Sequence, residues 1–165
     1  MKTCMRCGVC CLIFGVCVTP FDIIRIAKAT GKKPIEFVGM MSGVAKVERG
    51  EPTVLIDNHP ALIILRWGLG RMCPFYSEAG CVIYDDRPMV CRTYPFMVKK
   101  GKLIDTQSRA CQVCWRPEDE SGYRKDIKQH TKELKAYRKI ADEWNKKGGS
   151  LEEFLAFALE RAHPR

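Results

Sequence analysis

Side-chain amides are scarce in this chain. Asn58 and Asn145 are its only asparagines, and Gln107, Gln112 and Gln129 its only glutamines, in 165 residues. With 28% charged residues, that is a composition typical of heat-stable proteins. Histidine is equally thin, at His59, His130 and His163. All three lie outside the cysteine-bearing segments and read as surface residues rather than metal ligands. No stretch approaches the roughly 18 apolar residues that a membrane-spanning helix needs. The apolar run from Val9 to Val18 is broken by Gly15 and by cysteines, and no small-residue cleavage site follows it. The first residues therefore do not read as a secretory leader. The sequence has no Gly-rich nucleotide loop and no credible Ser-His-Asp order. It also lacks the C-x-x-x-C-x-x-C spacing of radical enzymes that use S-adenosylmethionine, and has no internal repeat or low-complexity segment.

Cysteine is what the chain has in excess, with ten residues. Such a density fits a disulfide framework outside the cell or a metal site inside it. Without a leader the expectation is a cytoplasmic protein, whose reduced thiols at short spacing are metal ligands. The length fits one domain with a real hydrophobic core, and 46% hydrophobic residues argue against disorder.

The strongest signal is C-x-x-C-x-x-C-C at Cys4, Cys7, Cys10 and Cys11. A C-x-x-C turn lets two thiolates converge, with Gly8 supplying backbone freedom. Thiolate is the soft ligand that zinc and iron–sulfur clusters both select. The run is similar to the C-x-x-C-x-x-C segment of bacterial ferredoxins, without their fourth cysteine and proline at that spacing. Cys73, Cys81, Cys91 and Cys111 add four more candidates. Eight thiolates would make two four-coordinate sites. In extended backbone Cys10 and Cys11 would point to opposite sides, so they are expected to be divided between two centres. Cys17, in an apolar run, reads as a small buried hydrophobe. Cys114 forms C-x-x-C with Cys111 and is left open. Zinc ribbons pair their cysteines, whereas Cys73, Cys81 and Cys91 stand singly; this favours an iron–sulfur cluster, 4Fe–4S first, with zinc as the alternative. Arg87 and Arg92 flank Cys91, and their guanidinium groups would offset the charge of an anionic cluster as cofactor-binding residues. Pairing with Asp85, Asp86 or Asp22 is the plainer role. Tyr84, Tyr94 and Phe96 are expected to shield the site.

Around these residues the pattern predicts an α+β fold. It is a compact, metal-centred, cysteine-rich core with short β-hairpins, packed by N-terminal helices and a C-terminal helical hairpin. A cysteine-rich loop (3–18) precedes a helix opened by Thr19, Pro20 and Asp22 and stopped by Gly31. A second short helix from Pro34 should carry Ile35, Phe37, Val38 and Met41. Lys46–Glu48 and Pro52–Ile56 read as a hairpin around Arg49-Gly50, and Ala61–Trp67 as a strand. Phe96–Val98 and Lys102–Asp105 form another hairpin. Tyr123, Ile127, Leu134, Tyr137, Ala141 and Trp144 mark one stripe of a long helix, and a Ser150/Glu153 capping box starts the last one. The whole reads as a single domain over 1–165, with a metal-binding part (1–118) and the helical hairpin (119–165).

The motifs together resemble the CxxCxxCC (YkgJ-like) cysteine-cluster family of zinc- or iron-chelating or Fe–S-cluster proteins. The matching residues are Cys4, Cys7, Gly8, Cys10 and Cys11; Thr19-Pro20, Asp22-Ile23 and Arg25-Ile26; and Cys73-Pro74-Phe75. They continue with Cys81, Ile83-Tyr84 and Arg87-Pro88, then Cys91-Arg92, Tyr94-Pro95-Phe96 and Cys111. The resemblance spans about residues 4–114 and implies metal binding without a reaction. One relative, the flagellin lysine N-methylase, carries a similar cysteine set. Three classes follow: a metal-binding protein in redox, electron transfer or metal handling with a redox or other protein partner; an enzyme, an oxidoreductase or a protein lysine N-methylase-like one; or a zinc-stabilised module binding nucleic acid through the basic helix Tyr123–Lys147. The net charge of +9 bears on the last class. A solvated basic surface explains that charge more simply.

Overall fold

The computed structural model describes residues 7–43, 50–68, 72–106, 111, 117 and 119–162. Helix α1 (Val9–Ile13) follows Gly8, whose φ of 76° lies in the left-handed region. The segment expected as a loop thus contains a five-residue helix. Helix α2 (Pro20–Thr30) begins as the sequence predicts. Thr19 Oγ1 accepts from the Asp22 amide, Asp22 accepts from the Thr19 amide, and Gly31 ends the helix at φ 69°.

Helix α3 (Pro34–Phe37) is only one turn. Val38 and Met41, expected in that helix, lie instead in strand β1 (Val38–Ser42). The reason is tertiary: β1 finds an antiparallel partner in β3 (His59–Leu65), with Val38 opposite Leu65 and Ser42 opposite Ala61. Strand β2 (Val54–Ile56) pairs with β3 as well, giving the order β1-β3-β2. Strand β2 turns into β3 through Asp57 and Asn58, both at positive φ (49° and 65°), a hairpin additional to the one expected around Arg49-Gly50. Two adjacent left-handed residues match the right-handed twist of a tight hairpin. Arg49 and Lys46–Glu48 lie outside the described residues.

Beyond β2, residues 16–18 take over the same edge of β3. The Val18 amide donates to Ile63 and the Leu65 amide to Val16 at 3.0 and 2.8 Å. The cysteine-bearing α1 is thereby tied directly to the central strand. Strand β3 is paired on both edges and buried from Ala61 to Leu65.

Short strands β4 (Tyr76–Ser77) and β5 (Gly80–Cys81) make one hairpin. A 3-10 turn (Tyr84–Asp86) leads into helix α4 (Met89–Thr93). Strands β6 (Phe96–Lys99) and β7 (Lys102–Asp105) make the predicted second hairpin.

Helix α5 (Glu120–Trp144) buries Leu134, Tyr137, Ile140, Ala141 and Trp144. Helix α6 (Leu151–Ala162) starts at the Ser150/Glu153 capping box and buries Phe154, Leu155, Ala158 and Ala162. Their side chains share one apolar cluster with α2, α3, β1–β3 and Cys73. Asn145 seals the outer edge of β2: its side chain accepts from the Leu55 amide at 2.8 Å and donates to the Thr53 carbonyl at 3.0 Å. Trp144 Nε1 donates to the Leu55 carbonyl at 2.7 Å. No helix among the described residues is long and apolar enough to cross a membrane.

Candidate metal centre

Four separate elements bring thiols to one place. Helix α1 supplies Cys10 and Cys11. The loop between β3 and β4 supplies Cys73, whose amide donates to the Cys11 carbonyl at 3.0 Å. Strand β5 supplies Cys81, paired with Tyr76 and held to the Cys73 turn by the Val82 amide on Phe75. Helix α4 supplies Cys91.

The thiols feel one another. Cys10 shares a side-chain hydrogen bond with Cys11; that bond, burial and the charge of Cys11 raise its pKa. The hydrogen bond with Cys10 lowers the pKa of Cys11. A bond with Cys73, burial, and the charges of Cys73 and Cys81 outweigh it and push Cys11 up to about 12. Burial raises Cys91 most, followed by the charges of Cys10, Cys11, Asp22 and Cys81. Thiols crowded in this way resist ionisation unless a cation compensates them. Soft sulfur donors packed at this density fit zinc, iron or an iron–sulfur group in their chemistry. Among the described residues, no three His, Cys, Asp or Glu side chains are arranged to hold a single ion.

Cys10 and Cys11 are helical rather than extended. Their thiols lie on one side, in contact with each other. The helical backbone thus does not turn Cys10 and Cys11 to opposite sides, as division between two centres would need.

The other candidates are placed differently. Cys7 is exposed at the start of α1, and its carbonyl accepts from the Tyr76 hydroxyl at 3.4 Å. Cys111 is partly buried. Cys4 and Cys114 lie outside the described residues. Cys17 is partly buried, and its charge acts on Tyr137 of α5. Gly8 is needed twice over: its φ is positive, and a Cβ there would overlap the Tyr76 ring.

Arg87 and Arg92 brace the turn before α4. Arg87 lies 3.8 Å from the centroid of the Tyr84 ring and donates to the Tyr84 carbonyl. Arg92 donates to the carbonyls of Arg87 and Asp85. Tyr94 meets Phe14 edge to face, and Phe96 meets Tyr123 of α5 in the same way.

Sequence reasoning missed what holds α4 in place. Asp22 is 1% exposed and accepts four hydrogen bonds, one of them from Arg25 within an ion pair. One comes from the Met89 amide at 2.8 Å, at the first turn of α4. Arg25 bridges Asp22 at 2.5 Å and the buried Glu133 of α5 at 2.7 Å. Burial works against the Arg25 charge, but Glu133 and Asp22 outweigh it and raise its pKa. The carboxylate that caps α2 therefore also positions Cys91 and locks both helices to α5. The available signal was Asp22 and Arg25 one turn apart; their partner stands 108 positions beyond Arg25. His130, expected at the surface, is partly buried on α5, with Nδ1 3.3 Å from the Thr93 hydroxyl.

Short elements thus bring thiols from separate parts of the chain near one another, and the class of protein follows from the family. The chain belongs to the CxxCxxCC family, described as a "putative zinc- or iron-chelating domain", whose family model matches residues 3–115. That membership supports metal binding. No curated protein and no solved structure matches the chain.

Proposed function

We propose that this protein carries an iron–sulfur cluster, 4Fe–4S in type, and serves in redox or electron transfer or in metal handling. One observation carries the reading: Cys10, Cys11, Cys73, Cys81 and Cys91 come from four elements to one neighbourhood, where burial and neighbouring thiols raise the pKa of Cys10, Cys11 and Cys91. Cys4, Cys7 and Cys111 complete the proposed ligand set. Five gathered thiols exceed the four that a structural zinc takes, and their scatter along the chain suits a group larger than one ion.

An iron–sulfur group supplies one-electron transfer when bound. The protein's own residues provide its setting. Asp22 holds the start of α4 and so fixes Cys91. Cys73 is tied to α1 through the Cys11 carbonyl. Arg87 and Arg92, braced against the 84–87 turn, would offset the charge of an anionic group held through Cys91. Leu12, Ile13 and Val82, neighbours in sequence of Cys11 and Cys81, are 47%, 60% and 67% exposed. Apolar side chains standing out beside the thiols suit a redox protein partner that must approach closely.

Anaerobic purification followed by iron, zinc and acid-labile sulfide analysis tests the reading. Iron and sulfide in equal amounts, with a brown chromophore that bleaches on reduction, are expected. A colourless protein with stoichiometric zinc and no sulfide after reconstitution would overturn it.

A further inference from the structure

The outer face of α5 carries Lys125, Lys128, Lys132, Lys135 and Lys139, all exposed. At 3.6 residues per turn these five fall within an arc of about 80° and run along about 21 Å of helix. The opposite face is buried in the core, so the stripe is held rigid. Among the described residues none of the five forms an ion pair.

The fold extends the stripe in a way that spacing alone does not show. Arg124 Nη1 donates to the Gly101 carbonyl at 2.8 Å, which sets the β6–β7 turn against the start of α5. Lys100 and Lys102, both exposed, flank that turn. At the other end, Asp142 and Glu143 close the basic track, and Glu143 is engaged by Arg161 at 2.8 Å.

We propose that this face binds the phosphate backbone of a nucleic-acid duplex without regard to sequence. The charge has the required sign and a linear layout, and lysine stripes of this kind neutralise successive phosphates. None of the exposed large hydrophobic residues lies on α5. Protein interfaces rest on aromatic and arginine anchors and are depleted in lysine, so an acidic protein is a poorer fit. With no exposed aromatic side chain on the stripe, bases of a single strand have nothing to stack on. The helical part of this surface lies beyond the family-matched residues 3–115, and none of its five lysines stands among the candidate metal ligands.

The test is fluorescence anisotropy of the whole protein with a labelled mixed-sequence 20-base-pair DNA duplex across a salt series. Two triple variants of equal charge are compared: Lys128, Lys132 and Lys135→Gln on the stripe, and Lys28, Lys32 and Lys33→Gln on and just beyond α2. The wild type is expected to bind at low salt, with an affinity that falls steeply as salt rises. The stripe variant should reduce the slope of log K against log salt by about 2.7, at 0.9 per phosphate contact, and the control should leave it unchanged. Circular dichroism should show both variants folded, since all six side chains are exposed. Absence of binding at 50 mM salt, equal losses in the two variants, or competition by polyglutamate as strong as by unlabelled duplex of equal charge would each overturn the proposal.

Discussion

The two halves of this molecule use opposite strategies. The C-terminal pair, α5 and α6, is made of long amphipathic helices that bury whole apolar faces, ending in Trp144 and Phe154 at 0% exposure. The cysteine-bearing half uses short elements: α1 and α4 have five residues each, and β4 and β5 two each. Such elements bury too little to hold themselves. They are fixed by particular contacts instead: Asp22 on Met89, Gly8 under Tyr76, Cys73 on Cys11. Stability by area tolerates substitution at any one contact, whereas stability by single contacts does not.

That contrast can be broken most strongly at Asp22. Asp22→Ala leaves Arg25, the Met89 amide and Thr19 without their shared partner, and should cost about 3–5 kcal/mol by urea denaturation. A loss below about 1 kcal/mol would show that α4 is held by something else. Trp144→Ala should cost a similar amount, about 3–5 kcal/mol, through lost packing. The two variants should part when metal retention is measured: Asp22→Ala loses bound metal, and Trp144→Ala, assayed while still folded, keeps it. Equal retention would erase the distinction between the halves.

Gly8→Ala comes next, at about 1–3 kcal/mol for a forced positive φ, with further cost from displacing Tyr76. A shift in Tyr76 fluorescence alongside the destabilisation would localise the effect. The smallest expected change is at His130. Burial lowers its pKa below the ordinary value of 6.5. The unfolded chain then takes up a proton at a higher pH than the folded one, so folding stability falls as pH drops through 6.5. His130→Asn should flatten the dependence between pH 7 and 5; an unchanged slope would assign the effect elsewhere.

Legibility followed the same divide. The Ser150/Glu153 box, the apolar stripe of α5, and Thr19-Pro20-Asp22 are local signals, and each element starts where they place it. Val38 and Met41 were misassigned because their spacing after Phe37 suits a helix; the open edge of β3 decided otherwise. The β2–β3 turn went unread, although Asp57-Asn58 between two apolar runs is a local turn signal. Cys10 and Cys11 looked extended because a five-residue helix leaves almost no periodicity to detect. For the site, the cysteine list was readable in sequence, and so was the family. The convergence of α1, β5 and α4 was not, because it depends on Asp22 and Arg25 meeting Glu133 far along the chain.

The central claim is that Cys10, Cys11, Cys73, Cys81 and Cys91 hold the metal and that Cys17 stands apart. Bound metal per chain, measured after anaerobic purification of the single Cys→Ser variants, tests it most directly. Each of the five site variants should lose metal relative to the wild type, and Cys17→Ser should match the wild type. Full retention in Cys81→Ser and Cys91→Ser, or a loss in Cys17→Ser as large as theirs, would contradict it.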